Sequence, residues 1–307
     1  MSDQKWTLND MPDLSGKTIV VTGANSGIGY DTAKAFVQKG AKTILACRSM
    51  DKANATLAEL KREMPNASAE VMRLDLASLA SVRQFVADFR ANHSQLDILV
   101  NNAGIMMVPY GKTEDGFERQ LGTNHFGHFA LTGLLFDDLQ KSEDSRVVNV
   151  SSIAHGNGEM DFSNLMYEGG GYNAGKAYGR SKLANLLFTY EMQRRLDASG
   201  SNMRSIACHP GITQSNLANH LFDPWYMRPI KPIFNLLLQG SEMGALPTIR
   251  AAVDPKANGG SYYGPDGRGQ RSGYPIVVKS NRASRDEADA KKLWKLSEEL
   301  TGMSFLS

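Results

Sequence analysis

Two hydrophobic patterns alternate along the chain. Short runs rich in β-branched residues recur at 18–22 (TIVVT), 43–47 (TILAC), 69–73 (AEVMR), 97–100 (DILV), 146–150 (RVVNV) and 204–208 (RSIAC). Between them, apolar positions recur at helical spacing over 28–39, 51–63, 78–92, about 114–140 and 176–199. Strands alternating with helices predict βαβ units and a parallel sheet with right-handed crossovers. The strands are apolar at nearly every position, which suits a sheet covered on both faces. Pro65 falls just past the second helical segment, where a helix should stop. The expectation is one α/β domain, doubly wound, with about seven strands and helices on both faces. Within it, 14–211 reads as the core, 212–245 as a small, less regular helical lobe, and 246–307 as the final helices and strand.

Composition narrows the picture only slightly. With 34 Lys and Arg against 32 Asp and Glu, charge makes no case for nucleic acid. The two cysteines, Cys47 and Cys208, lie far apart and form neither a disulfide framework nor a metal-ligand spacing. They read as small buried apolar residues of a chain in a reducing compartment. The opening MSDQKWTLNDMPDLSGK lacks the apolar core of a secretory signal, and no run of about eighteen apolar residues follows. A cytoplasmic, metal-free protein without a membrane anchor is expected.

In a doubly wound sheet, ligands bind at the carboxyl ends of the strands. The first strand ends in TGANSGIG, Thr22 to Gly29, and runs straight into a helix. Glycines there allow a tight turn and close backbone approach, and the helix N-terminus faces an anion. The position, in the first βα unit, points to a dinucleotide. After the second strand, where an acid would hold the ribose of NAD, the chain reads ACRSMDK. Arg48 stands there instead, with Lys52 one turn on, so a 2′-phosphate and NADP are favoured over NAD. Asp51 could be read as the missing acid but suits a helix start better.

Further along, YGRSK places Tyr178 and Lys182 four residues apart, on one face of a helix. A lysine beside a phenol favours the phenolate and lowers its pKa, and such a tyrosine can exchange protons near neutrality. More markers follow strand ends in order: LDL (74–76), NNAG (101–104), VNVSS (148–152) and HPG (209–211), with TNHFGHF (123–129) inside the long helix.

Together these motifs resemble the short-chain dehydrogenase/reductase family, a Rossmann-type fold, from about Leu14 to Gly302. ACRSMDKA, VVNVSSIAHG, YGRSKLANLLF, HPGITQSNL, GGSYYGP and LWKLSEELTG make the chain most similar to the retinol dehydrogenase branch. The resemblance implies roles at matching positions. Tyr178 would be general acid in carbonyl reduction and base in alcohol oxidation. Lys182 would lower its pKa and hold the nicotinamide ribose. Ser152, rather than its neighbour Ser151, would polarise the carbonyl, and Asn124 would hold a water linking Lys182 to solvent. Gly23, Asn25, Ser26, Gly27, Ile28 and Gly29 would cradle the pyrophosphate side. Asp75 and Leu76 would lie by the adenine, Asn101, Ala103 and Gly104 by the ribose, and Pro210, Gly211, Ile212 and Thr213 beside the nicotinamide. The implied activity is NADP(H)-dependent interconversion of a carbonyl and an alcohol, on lipophilic or bulky substrates including retinal-like aldehydes. A homodimer or homotetramer fits the family.

Between Ser152 and Tyr178 the segment is longer than in compact members, and HGNGEMDFSNLMYEGGGYNAGKA reads as an inserted loop and substrate wall. The stretch Asn216 to Leu238, with Phe222, Trp225, Tyr226, Met227 and Phe234, reads either as an apolar pocket or as a packing helix. His125, His128, His155 and His209 lack metal-site spacing, and the first two read as helix residues near the cofactor floor. Two alternative readings fit the motifs less well. A protochlorophyllide reductase-like enzyme would depart from VNVSS and carry a cysteine in the substrate lobe. A non-catalytic NADP sensor would lose the tyrosine or the lysine.

Overall fold

The computed structural model describes residues 5–213 and 239–306. Eight strands form one sheet in the order β3-β2-β1-β4-β5-β6-β7-β8. They are β1 Thr18–Thr22, β2 Lys42–Cys47, β3 Ala69–Arg73, β4 Ile98–Asn101, β5 Arg146–Val150, β6 Arg204–Cys208, β7 Tyr262–Pro265 and β8 Pro275–Val277. All pairings are parallel except β7 with β8. Strand order reverses between β1 and β4, which opens a crevice at their carboxyl ends. The central strands are buried on both faces, as their continuous apolar sequences require.

Helices cover both faces. On one side α1 (Gly27–Gln38) packs against α8 (Ser241–Val253), and Phe36 and Ile249 join Val21, Leu45 and Val148 in a core. On the other side lie α3 (Leu79–Asn92), α5 (Gly127–Leu134), α7 (Ala174–Ala198) and α9 (Glu287–Thr301). There Phe85, Phe89, Phe129, Phe188 and Trp294 are buried together. Each such ring contributes roughly 1.5–3 kcal/mol through burial. α2 (Met50–Glu63) closes the sheet edge beside β3.

Two expectations are corrected. The sheet has eight strands rather than about seven, because the three-residue antiparallel β8 closes its edge. The single helix expected over 114–140 is broken. Its first residues form a turn closed by a bridge between Lys112 and Glu118. Helix begins only at α4 (Arg119–Leu121), runs through a π turn at Gly122–Phe126 into α5, and restarts as α6 (Phe136–Gln140). The long helix α7 stands as expected, within two residues of 176–199.

At the amino ends of the strands, charge is used for closure. Buried Asp97 accepts from Lys17 Nζ at 2.9 Å, the Thr18 amide at 2.8 Å and Ser142 Oγ at 2.7 Å. Burial raises its pKa, but these three bonds together hold it below the usual value. Among the described residues, no helix is long and apolar enough to cross a membrane.

Candidate active site

The crevice is built from the loops that leave β1, β2, β4, β5 and β6. After β1, Gly23 and Gly27 take left-handed backbone, with φ of 68° and 53°. A Cβ on Gly27 would meet nothing within 4 Å, so the loop is open on that side. Gly29 is glycine for the opposite reason: a Cβ there would stand 2.5 Å from Asn102 Nδ2 and would collide with the Gly23 carbonyl. Ser26 takes the N-cap position of α1 without a side-chain cap bond and is exposed. Asn25 and Ile28 complete the turn, and the Asn25 carbonyl accepts from Thr56 Oγ1 at 3.1 Å.

Past β2, Arg48 and Lys52 are both exposed, and neither makes an ion pair among the described residues. Past β3, Asp75 turns back to accept the Ala77 amide, and Leu76 is buried. Past β4, Ala103 and Gly104 border the crevice. The Asn101 side chain instead points into the core, donating to Asn149 Oδ1 at 2.8 Å and Thr132 Oγ1 at 3.1 Å. Past β6, Pro210, Gly211, Ile212 and Thr213 form a turn tied down by Ile212 N donating to the Arg271 carbonyl and Gln239 Nε2 donating to the Pro210 carbonyl. The 216–238 stretch lies outside the described residues.

Tyr178, Ser152, Lys182 and Asn124 meet at the ends of β4 and β5. Tyr178 is buried, with the Ser152 hydroxyl beside its own. The Ser152 hydroxyl accepts the Ala154 amide at 3.1 Å, which leaves its own proton free to donate. Ser151 is buried, and its hydroxyl donates to the Lys182 carbonyl at 2.8 Å. Lys182 donates from Nζ to the Val150 carbonyl at 3.0 Å, with the ammonium 5.8 Å from the centre of the Tyr178 ring. Burial pushes Lys182 down to about 8 and Tyr178 up to about 12, the neighbouring Ser152 hydroxyl opposing the latter. The expected lowering of Tyr178 by Lys182 is not found; burial raises it instead. Both groups are sealed from water, and the ammonium is directed at a carbonyl.

Asn124 sits in the π turn, whose extra residue per turn re-aims it. Its side chain accepts the Ile105 amide at 2.8 Å and donates to the Ile105 carbonyl and to Ser181 Oγ, both at 2.9 Å. A Cβ on Gly104 would stand 3.1 Å from Asn124 Oδ1 and 3.5 Å from Lys182 Nζ, so these groups converge on one point.

Several site residues escaped the sequence reading. Thr22 Oγ1 accepts the amides of Asn102 and Ala103, both at 2.9 Å. Its proton goes to His128 Nε2 at 2.9 Å, because His128 Nδ1 donates to the Asn124 carbonyl at 3.0 Å and so fixes the tautomer. Asn102 Nδ2 donates to the Thr22 carbonyl at 2.8 Å. Thr22 and Asn102 both lie inside motifs already marked, and their neighbours drew the attention. His128 does pack under the crevice floor as expected, and His125 is buried beside it.

An open glycine turn, a crevice at the strand ends and a Ser–Tyr–Lys set now stand together. A family model described as short chain dehydrogenase matches residues 17–224. The chain belongs to the short-chain dehydrogenases. It is 41% identical over 295 residues to human retinol dehydrogenase 13, covering 94% of this chain and 86% of that one. It is 42% identical over 292 residues to human retinol dehydrogenase 11, covering 94% and 87%. Among solved structures, an uncharacterised protein from Mycobacterium paratuberculosis superposes with a TM-score of 0.82 at 41% identity, covering 98% of this chain and 99% of that one. A short chain dehydrogenase from Shigella flexneri complexed with NADP shares the fold, at 21% identity with a TM-score of 0.63, covering 82% and 98%. As a short-chain dehydrogenase with retinol dehydrogenase relatives, the protein is an oxidoreductase of carbonyl and alcohol groups. Among its described residues, no group of three His, Cys, Asp or Glu could hold a metal.

Proposed function

We propose that this short-chain dehydrogenase uses NADP(H) to interconvert lipophilic aldehydes or ketones and their alcohols. The observation that carries the reading is the meeting of Tyr178, Ser152 and Lys182 below an open glycine loop. The crevice fits a dinucleotide, since Gly27 leaves its outer side clear and Arg48 stands exposed without an acid partner among the described residues. Gly23 to Gly29 would hold the pyrophosphate, Arg48 and Lys52 the 2′-phosphate, and Pro210 to Thr213 the nicotinamide side. Asp75, Leu76, Ala103 and Gly104 would border the adenosine. When bound, the nicotinamide supplies or takes the hydride.

The chain's own residues supply the rest. As the carbonyl oxygen gains charge, Ser152 donates a hydrogen bond to it and Tyr178 gives its proton. A phenol near 12 stays protonated at neutral pH, which suits reduction. Lys182 stands ready to pass a proton back to Tyr178, with Asn124 beside it on the path outward.

The test is NADPH and NADH oxidation by purified protein against retinal, medium-chain aldehydes, aryl ketones, steroids and diketones. Turnover should occur with NADPH and vanish in Tyr178→Phe while NADPH binding persists. Near-normal turnover in that variant would remove Tyr178 from its role. In Arg48→Ala, NADPH affinity should fall far more than NADH affinity, and equal losses would remove the 2′-phosphate role.

A further inference from the structure

The residues after NNAG read Ile105-Met106-Met107-Val108-Pro109-Tyr110, an apolar run at the carboxyl end of β4. None of the six is buried, and Met107 and Tyr110 are 37% and 43% exposed. A surface loop of this kind gains little by burial, yet it is held tightly. Its first residue is bonded twice to Asn124. Met107 takes a φ of 51°, a left-handed conformation that a side chain of this size rarely adopts.

Two side chains hold it there. Gln120 is fully buried, and its amide links three segments. Oε1 accepts the Met107 amide at 2.7 Å. Nε2 donates to Tyr172 Oη at 2.9 Å and to the Ala174 carbonyl, at the start of α7, at 3.0 Å. Tyr172, near the end of the inserted segment, donates to the Val108 carbonyl at 2.7 Å. Burial, and next the Glu118 charge, push its pKa up to about 12, so the hydroxyl keeps that proton. Its ring stands edge-on to Tyr110, centres 5.2 Å apart. Arg180 anchors the earlier part of the insertion. It donates to the carbonyls of Glu159, Asn164 and Leu165 and stacks 4.2 Å over Tyr167. The insertion is thus a fixed brace between the catalytic helix and the apolar run.

We propose that Gln120 and Tyr172 are positioning residues for specificity: they hold Met107 and Val108 as an apolar wall that receives the carbon chain of bulky lipophilic carbonyl substrates. A buried amide and a half-buried phenol hydroxyl are costly to desolvate, and here their bonds go to a surface segment with no packing role of its own. The run starts at Ile105, bonded to Asn124, and a substrate wall leading on from that point gives the placement a purpose. The inference rests on the carbonyl–alcohol reading above and assigns the residues that select within it.

Tyr172→Phe tests it, because the variant keeps the ring and removes only the hydroxyl. Reduction of butanal and of retinal by NADPH is compared in the full-length wild type and variant. Amide hydrogen exchange over 105–110 is measured on both proteins. The loss of one hydrogen-bonding hydroxyl should raise KM for retinal about threefold to tenfold. Butanal kinetics and kcat for retinal should hold, and exchange at 105–110 should quicken while β4 and α7 stay protected. Equal losses for both aldehydes, or unchanged exchange at 105–110, would overturn the proposal. If the wild type reduces neither aldehyde, the substrate reading fails by itself, and the exchange data still decide whether Tyr172 holds the wall.

Discussion

Thr22 shows how much one oxygen can carry. It accepts two amides of the loop after β4 and gives its single proton to His128, so its bonding capacity is used up. Thr22→Val keeps the shape but strands two amides and an imidazole nitrogen. It should lower stability by about 1–3 kcal/mol in urea unfolding, while Thr22→Ser should stay near wild type. His128 belongs to a set of buried neutral histidines. Burial pushes His128 and His209 from an ordinary 6.5 down to about 4, and His125 to about 3. The unfolded chain therefore takes up protons below 6.5 that the folded chain refuses until about 4. The stabilisation is full above 6.5 and is lost as pH falls toward 4, on the order of 1–3 kcal/mol per histidine. Urea midpoints at neutral pH and near the lower limit should differ accordingly, and His128→Gln should flatten the difference. An unchanged slope in that variant would mean His128 is not held neutral by the fold.

At the level of elements, the β1–α1 turn makes a paired prediction. Gly29→Ala forces a Cβ against the Gly23 carbonyl and Asn102, and overpacking there should cost about 1–3 kcal/mol. Gly27→Ala has open space but left-handed backbone, and should cost roughly 1–2 kcal/mol from conformation alone. In Gly27→Ala dinucleotide affinity should drop more than the melting point suggests, because the strained backbone lies in the glycine turn proposed to hold the pyrophosphate. Calorimetry with and without NADPH separates the two effects. These elements were legible in the sequence because apolar periodicity and glycine position are local signals. The first six strands and α7 fall within two residues of expectation for that reason. The break in the 114–140 helix was not legible. Apolar residues continue across the π turn at helical spacing, and the bonds that favour the turn come from Ile105 and Ser181, distant in sequence. Strand β8 was hidden by its three-residue length. Gln120 and Tyr172 looked like ordinary helix and loop residues, since their meaning lies in contacts about fifty residues apart that no periodicity encodes.

Across the whole molecule, stability and chemistry occupy opposite ends of one sheet. The carboxyl ends spend their glycines and hydroxyls on the crevice, while the amino ends carry closure groups such as Asp97 and Arg146. Arg146 is buried and donates to the carbonyls of Ala251 and Asp254, joining β5 to the end of α8. Asp97→Ala removes the acceptor of three bonds far from the crevice. It should destabilise by about 1.5–3 kcal/mol, seen as a lower urea midpoint, with KM for NADPH and for the carbonyl unchanged. A shift in KM would show that the two ends are coupled.

The pair Asn101 and Asn149 has a consequence for how the chain finds its alignment. The two face each other across β4 and β5, and the chain of bonds extends from Thr132 on α5 to Thr189 on α7. Strands that are apolar on both sides carry almost no address, since sliding one past the other by two residues would bury much the same surface. The amides remove that ambiguity, because a slipped pairing would part Asn101 from Asn149 and break the bond between them. A small amount of polarity in the middle of the sheet thus supplies the positional information that hydrophobicity alone lacks, and it aligns Ser152 with Tyr178 before either has a substrate to meet.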